Sequence, residues 1–208
     1  MSLLTAALLL AAGAGQEDAP ALVPSAPEAA WEIVFEVYGA DLPDDDPWLL
    51  ATLQADRGLL HLESRLGYED RDTLSIWAGR NFFWDDAVSG RVAPMLGLLV
   101  GRTEGAAPGV SLELGWRQLW LTTETEYVFD FGDRSESFFY SWNELGLTLV
   151  HGLDVGFVAQ RTRVFEQDLT LDSGILVRWA GEQVGLTVYV FEPGRDDSYL
   201  AFALDYSF

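Results

Sequence analysis

The chain has 208 residues, a formal net charge of -21, twelve basic residues that are all arginine, and no cysteine. That length suits one domain. The missing cysteines exclude disulfides, thiolate catalysis and cysteine-based zinc sites. The missing lysines exclude Schiff-base and P-loop lysines, and the charge repels phosphate, so nucleic acid is not an expected partner. Aromatic residues are abundant, with eight Trp, and after residue 20 no apolar run is long enough for a transmembrane helix. A membrane protein of this composition has to be a barrel.

Residues 1–15 have an apolar centre followed by small residues and read as a cleavable secretory signal, with Ala12-Gly13-Ala14 as a cleavage pattern. They lack the usual basic start; the alternative is a short N-terminal helix. Residues 16–30, acidic and rich in Pro and Ala, read as a flexible tail. From Trp31 the chain alternates with a period of two, the mark of strands with one oily and one wet face. Trp31, Ile33, Phe35 and Val37 oppose Glu32, Val34, Glu36 and Tyr38. Leu49, Ala51, Leu53 and Ala55 oppose Trp48, Leu50, Thr52, Gln54 and Asp56, and Arg57-Gly58 is a hairpin turn. The third segment sets Leu60, Leu62, Leu66 and Tyr68 against His61, Glu63, Arg65 and Gly67.

The fourth, from Thr73 to about Trp84, puts Arg80 on the face of Leu74, Ile76 and Ala78, which requires a membrane interface or a bulge there. Residues 85–90 read as a turn and 102–109, with Gly105 and Pro108, as a loop; Pro94 suggests a break in pairing within the fifth segment. The sixth and seventh carry Glu113, Arg117, Glu124 and Glu126 on their polar faces. In the eighth, Tyr140 and Trp142 share the face of Leu145, Leu147 and Leu149 only if a bulge near Asn143-Glu144 resets the phase. The ninth to eleventh place Gln160, Asp172 and Arg178 on polar faces, and Gly181-Glu182 is a further tight turn. The last segment sets Leu200, Phe202, Leu204, Tyr206 and Phe208 against Ala201, Ala203, Asp205 and Ser207.

These segments make about twelve strands, with ten and fourteen as alternatives, and residues 31–208 form one all-β unit. Minimal turns alternate with longer, mostly acidic loops, the asymmetry of an outer-membrane barrel. The alternation, the signal and the terminal Phe resemble Gram-negative outer-membrane β-barrel proteins. Stretches such as Pro94-Met95-Leu96-Gly97, Ala107-Pro108-Gly109, Glu126-Tyr127-Val128-Phe129-Asp130, Phe138-Phe139-Tyr140-Ser141-Trp142-Asn143-Glu144 and Ala159-Gln160-Arg161-Thr162 look like an uncharacterised porin-like group. The resemblance implies a transmembrane antiparallel up-and-down β-barrel in the bacterial outer membrane with both termini in the periplasm. It implies outer-membrane lipids and lipopolysaccharide as surroundings, and recognition of the last strand by the barrel-assembly machinery.

In such a barrel the apolar faces meet lipid and the polar faces line the lumen. The expected lumen-lining residues are Glu32, Glu36, His61, Glu63, Arg65, Glu113, Arg117, Glu124, Glu126, Gln160, Asp172 and Arg178. Leu200, Phe202, Leu204, Tyr206 and Phe208 are the lipid-facing residues of the last strand. The favoured function is a small passive channel for hydrophilic solutes with a charged lumen; the alternative on the same residues is a closed structural barrel whose charges neutralise one another. A second alternative, a hydrolase acting on lipid or lipopolysaccharide, would rest on His61 or His151, and no Ser sits in a nucleophile motif. A third, a secreted β-sandwich, would need two dry inner faces. No cofactor or metal is expected; Asp44, Asp45 and Asp46 read as a solvated turn rather than a cation site, and Arg161 and Arg163 read equally as solvated ends and as contacts to lipopolysaccharide phosphates.

Overall fold

A computed structural model describes residues 30–41, 47–132, 137–150, 152–164 and 170–208. The expected signal and nearly all of the tail, the Asp44–Asp46 stretch and His151 lie outside the described residues. Thirteen strands follow in order: β1 (Glu32–Asp41), β2 (Trp48–Arg57), β3 (Leu60–Leu66), β4 (Thr73–Arg80), β5 (Phe82–Asp85), β6 (Ser89–Gly101), β7 (Gly105–Trp116), β8 (Leu119–Asp130), β9 (Phe138–Val150), β10 (Leu153–Val164), β11 (Thr170–Ala180), β12 (Val184–Phe191) and β13 (Tyr199–Ser207). Each pairs antiparallel with its neighbours, and both β4 and β5 pair with β6, so they are two lengths of one stave. The result is a closed twelve-stave barrel, sealed where β1 meets β13 from Val34↔Ser207 to Asp41↔Leu200. Phe208 extends the seam by donating its N–H to the Ile33 carbonyl. Closure leaves no free sheet edge, which a sheet in lipid requires.

Several local expectations need correction. Arg80 causes no bulge: Gly79↔Met95 and Phe82↔Val92 keep one register across the β4–β5 gap, and Pro94, which has no N–H to donate, stands opposite it. Arg80 therefore faces outward near the strand end, its guanidinium 5.4 Å from the centroid of the Phe82 ring. Residues 102–109 are not a loop. β7 starts at Gly105, Pro108 pairs opposite Leu96 facing outward, and Gly109 leaves room for the Trp77 ring where a Cβ would come within 2.9 Å. The 85–90 turn is likewise shorter, since β6 begins at Ser89. No bulge lies at Asn143-Glu144; the β8–β9 register is unbroken, and the shift in β9–β10 is at Leu153/Asp154, beside the turn. Tyr140 and Trp142 thus share the inward face with Glu144 rather than the face of Leu145. Tyr68 also turns inward instead of following Leu66, because β3 ends there and Gly67 takes a left-handed backbone (φ 72°).

The outward face is apolar on every side of the barrel. Leu49, Ile76, Leu96, Leu98, Phe157, Ile175, Leu200 and Phe202 are all exposed. Aromatic residues mark both rims: Trp31, Phe82, Trp116, Trp179, Tyr206 and Phe208 at the end bearing the tight turns, Phe129 and Phe131 at the end bearing the longer loops. One outward polar patch interrupts the band. Thr123 donates to Asn143 Oδ1 (2.6 Å), Thr125 and Ser141 share a hydrogen bond (3.0 Å), and Asn143 Nδ2 donates to Ser141 (3.0 Å). These groups satisfy one another, which lowers the cost of holding them against lipid.

The depth of this band gives a direct check. Ile175→Arg, at the middle of β11, is expected to destabilise the barrel by about 2–4 kcal/mol, and Val184→Arg, at the strand edge, by under about 1 kcal/mol. Urea unfolding of vesicle-folded protein measures both; equal costs would contradict the band as placed.

Candidate functional site: the lumen

The inward side chains form two unlike walls. Along β2, β3, β4, β6, β7 and β8 runs a chain of ion pairs. Arg91 pairs with Glu113 and reaches Asp56 at 3.4 Å. Asp56 accepts from Gln54 (2.7 Å) and Asn81 (2.5 Å) and lies 2.9 Å from His61 Nδ1. His61 Nε2 is 3.6 Å from Glu63, which Arg65 grips through Nε (2.8 Å) and an Nη (3.0 Å). Arg65 then crosses to Glu126 (2.9 Å) and Glu124 (3.4 Å) on β8 and stands 3.9 Å from Glu69. Its guanidinium lies between the rings of Tyr68 (4.4 Å) and Trp77 (4.7 Å). A fully buried arginine survives only with this many partners.

Glu69 closes the network from the loop after β3, accepting from Ser75 (2.5 Å) and Trp77 (3.2 Å). Burial pushes its carboxyl above the usual range against the pull of Arg65. At the loop end outside the lumen, Glu192 is held below the usual range by the Ser173 backbone N–H and by Arg195.

The opposite wall, on β1 and β9 to β13, is aromatic toward the loop end and acidic below. Tyr38 and Tyr189 each meet Trp142, both pairs with ring centroids 5.6 Å apart and edge-to-face, and Phe191 stacks on Tyr199 at 4.8 Å. One step toward the turn end come Glu36 and Asp205, which pair across the seam, and Glu144, which accepts from Trp142 (2.9 Å) and Tyr189 (2.8 Å). Arg178 binds Asp154 at 2.7 Å and covers the Trp120 ring at 4.1 Å. The walls touch at Tyr68 and Tyr140 (5.4 Å), and within the second wall Tyr38 and Trp142 meet from well-separated staves.

Two cavities remain. One of about 260 Å³ lies between the walls, bounded by Glu36, Tyr38, Trp142, Glu144, Tyr189 and Asp205 among others. A second of about 250 Å³ opens toward the turn end past Glu32, Asp56 and Phe83. They share Val34, Gln54, Arg91 and Glu113 in their linings, a ring that forms the neck between them.

Of the residues expected to line the lumen, Glu36, Glu63, Glu113, Glu124 and Arg178 border the larger cavity and Glu32 the smaller. His61, Arg65 and Glu126 are buried in the ion-pair chain. Gln160 and Asp172 pair with each other across β10 and β11, on the same inward-facing positions as Val158 and Leu176. Arg117 is a correction: it sits in the turn after β7 with a left-handed backbone (φ 56°), its guanidinium on the Trp116 ring at 5.1 Å. Arg161 lies over Phe139 on the outward face, and the Arg163 side chain is outside the described residues. Sequence reasoning missed Arg91, which directly follows the expected 85–90 turn, and Glu144, next to the position where a bulge was the condition for an outward Trp142. It also missed Asp154 and inward aromatic residues such as Trp142, while Asp205 and Tyr38 already stood on the expected polar faces. Continuing the period of two finds Arg91, Glu144, Asp154 and Trp142, but not Tyr68, which Gly67 turns inward. His61, the described histidine, has Asp56 and Glu63 as its ion-pair neighbours. Among the described residues, no three of His, Asp and Glu converge as metal ligands.

Removing Arg65 leaves four carboxylates facing one another. Arg65→Met is expected to cost about 3–5 kcal/mol, and adding Glu126→Gln should restore part of that, a coupling that a double-mutant cycle on urea midpoints reads directly.

The sequence matches no known family model, and no curated protein matches it. The fold does have solved counterparts. The KdgM porin in complex with disordered oligogalacturonate aligns at a TM-score of 0.57 and 12% identity, over 85% of this chain and 99% of that one. The NanC porin aligns at 0.56 and 10% identity, over 84% of this chain and 98% of that one. At these identities the likeness is one of fold: this chain is a closed twelve-stave antiparallel β-barrel that shares its fold with those porins.

Proposed function

We propose that this protein is a passive, cation-preferring channel for small hydrophilic solutes in the bacterial outer membrane. The observation that carries this reading is the sign of the inward face. Each described lumen arginine is already bound by carboxylates: Arg65 by Glu63, Glu124 and Glu126, Arg91 by Glu113 and Asp56, Arg178 by Asp154. Glu32, Glu36, Glu144, Asp172 and Asp205 stand beyond that balance. A narrow, low-dielectric tube with surplus carboxylates concentrates cations and repels anions. KdgM, whose structure holds an acidic oligosaccharide, shares the shell of the barrel; the surplus negative charge here favours solutes of the opposite sign.

In this reading the turn end and both termini face the periplasm, the longer acidic loops face outward, and lipopolysaccharide and phospholipid surround the apolar band. The last strand serves as the signal to the barrel-assembly machinery. One observation favours a sealed structural barrel instead, namely that side chains from the two walls touch at Tyr68–Tyr140. Current decides between them. Purified protein in a planar bilayer under a KCl gradient should give discrete steps with a reversal potential favouring K⁺. Neutralising the neck with Glu113→Gln should lower that preference roughly severalfold, and Tyr140→Ala should raise conductance by removing a cross-lumen contact. Silence of both wild type and Tyr140→Ala would establish the sealed barrel.

A further inference from the structure

The larger cavity has an unusual boundary for a water-filled pore. Its roof toward the loop end is three aromatic rings, Tyr38, Trp142 and Tyr189, and its wall just below is the carboxylates of Glu36, Glu144 and Asp205. Glu144 is held by the indole N–H of Trp142 and the hydroxyl of Tyr189, so it is fixed to the aromatic roof. Among the described residues Glu36 has no hydrogen bond and no ion pair, and its cross-strand neighbours are Asp205 and Thr52. The other acidic side chains that border the same cavity are Glu63, Glu113, Glu124, Glu144 and Asp205. Two of the three lumen arginines also border this cavity, each held by carboxylates: Arg91 by Glu113 and Asp56, Arg178 by Asp154.

An aromatic face and an unpaired carboxylate attract the same kind of ligand. A ring quadrupole favours a cation with a weakly hydrated, carbon-covered charge, and a carboxylate supplies its counter-charge. A small inorganic cation would gain little from the rings. A neutral sugar would leave the surplus charge unanswered. An anion would be repelled. We infer that the cavity between the Tyr38–Trp142–Tyr189 roof and the Val34–Gln54–Arg91–Glu113 neck is a binding site for a small organic ammonium ion, with Glu36 as its counter-ion. A volume of about 260 Å³ admits such an ion and excludes a long chain folded on itself. The inference deepens the cation preference proposed above and rests on it.

The test separates the two. Choline and its uncharged isostere 3,3-dimethylbutan-1-ol are titrated by calorimetry into the barrel folded in a non-ionic glycoside detergent, which has no ammonium group to compete, alongside Glu36→Gln and Trp142→Leu. Choline should bind the wild type roughly tenfold more tightly than the isostere, and each substitution should weaken choline binding by roughly fivefold or more. Heat-modifiable migration in SDS gels checks that both variants are closed barrels, and Arg161→Gln, on the outward face, serves as a control that should bind as wild type does. Absence of choline binding, equal binding of the isostere, or unchanged binding by Glu36→Gln would overturn the site. If K⁺-selective current persists in that case, the organic-cation site has failed and the channel stands; if there is no current either, both fail.

Discussion

Everything in this structure follows from closing the sheet on itself. Backbone N–H and C=O groups in hydrocarbon have no water to bond, so a sheet there has to be edgeless. The β1–β13 seam meets that demand by joining the two ends of the chain, from Val34↔Ser207 to Asp41↔Leu200. Once the wall is closed, the pleat sorts side chains with no further choice: alternate residues meet lipid or lumen. The charge of the chain then has two destinations, the loops and the interior.

That sorting explains why the polar residues are inside. A soluble barrel of this size would bury leucine and valine and expose glutamate. Here Leu96, Leu98 and Phe157 are exposed while His61, Glu63, Arg65 and Glu126 are buried. Buried charge is stable only when paired, and the chain from Glu113 through Arg91, Asp56, His61, Glu63 and Arg65 to Glu126 does the pairing on one wall. Arginine suits the task, since its planar fork binds several carboxylates at once and still stacks on Tyr68 and Trp77. The other wall is paired less completely. Glu36 and Asp205 face the cavity with their charge unmatched, and the functional reading rests on that imbalance between the walls.

The fold was largely legible in the sequence because a barrel wall is periodic. Twelve staves, the tight turns and the lipid face of Leu200, Phe202 and Leu204 follow from alternation alone. The misreading of residues 102–109 as a loop has a clear cause, which is that Gly105 and Pro108 read as punctuation although they lie within a strand. Pro108 sits inside β7 because its partner strand needs no N–H from it, and Pro94 sits inside β6 for the same reason. Gly109 is a space for Trp77 and not a turn. Gly67 is the opposite case, a true break that swings Tyr68 into the lumen. For the site, the charged positions were readable strand by strand, whereas their pairing was not. Arg65 meets Glu126 sixty-one positions away, and the Tyr38–Trp142 contact joins β1 to β9 across the lumen. Such contacts depend on barrel diameter and stagger, which periodicity does not encode.

The central claim is that the charged face is the inside and the aliphatic face meets lipid. The chain has no cysteine, so single cysteines can be placed at will and carry nitroxide labels. With the protein in bilayers, labels at Phe202, Ala203, Leu204 and Asp205 should alternate in their collision with dissolved oxygen, high at 202 and 204 and low at 203 and 205. A flat profile, or one with the opposite phase, would contradict the account.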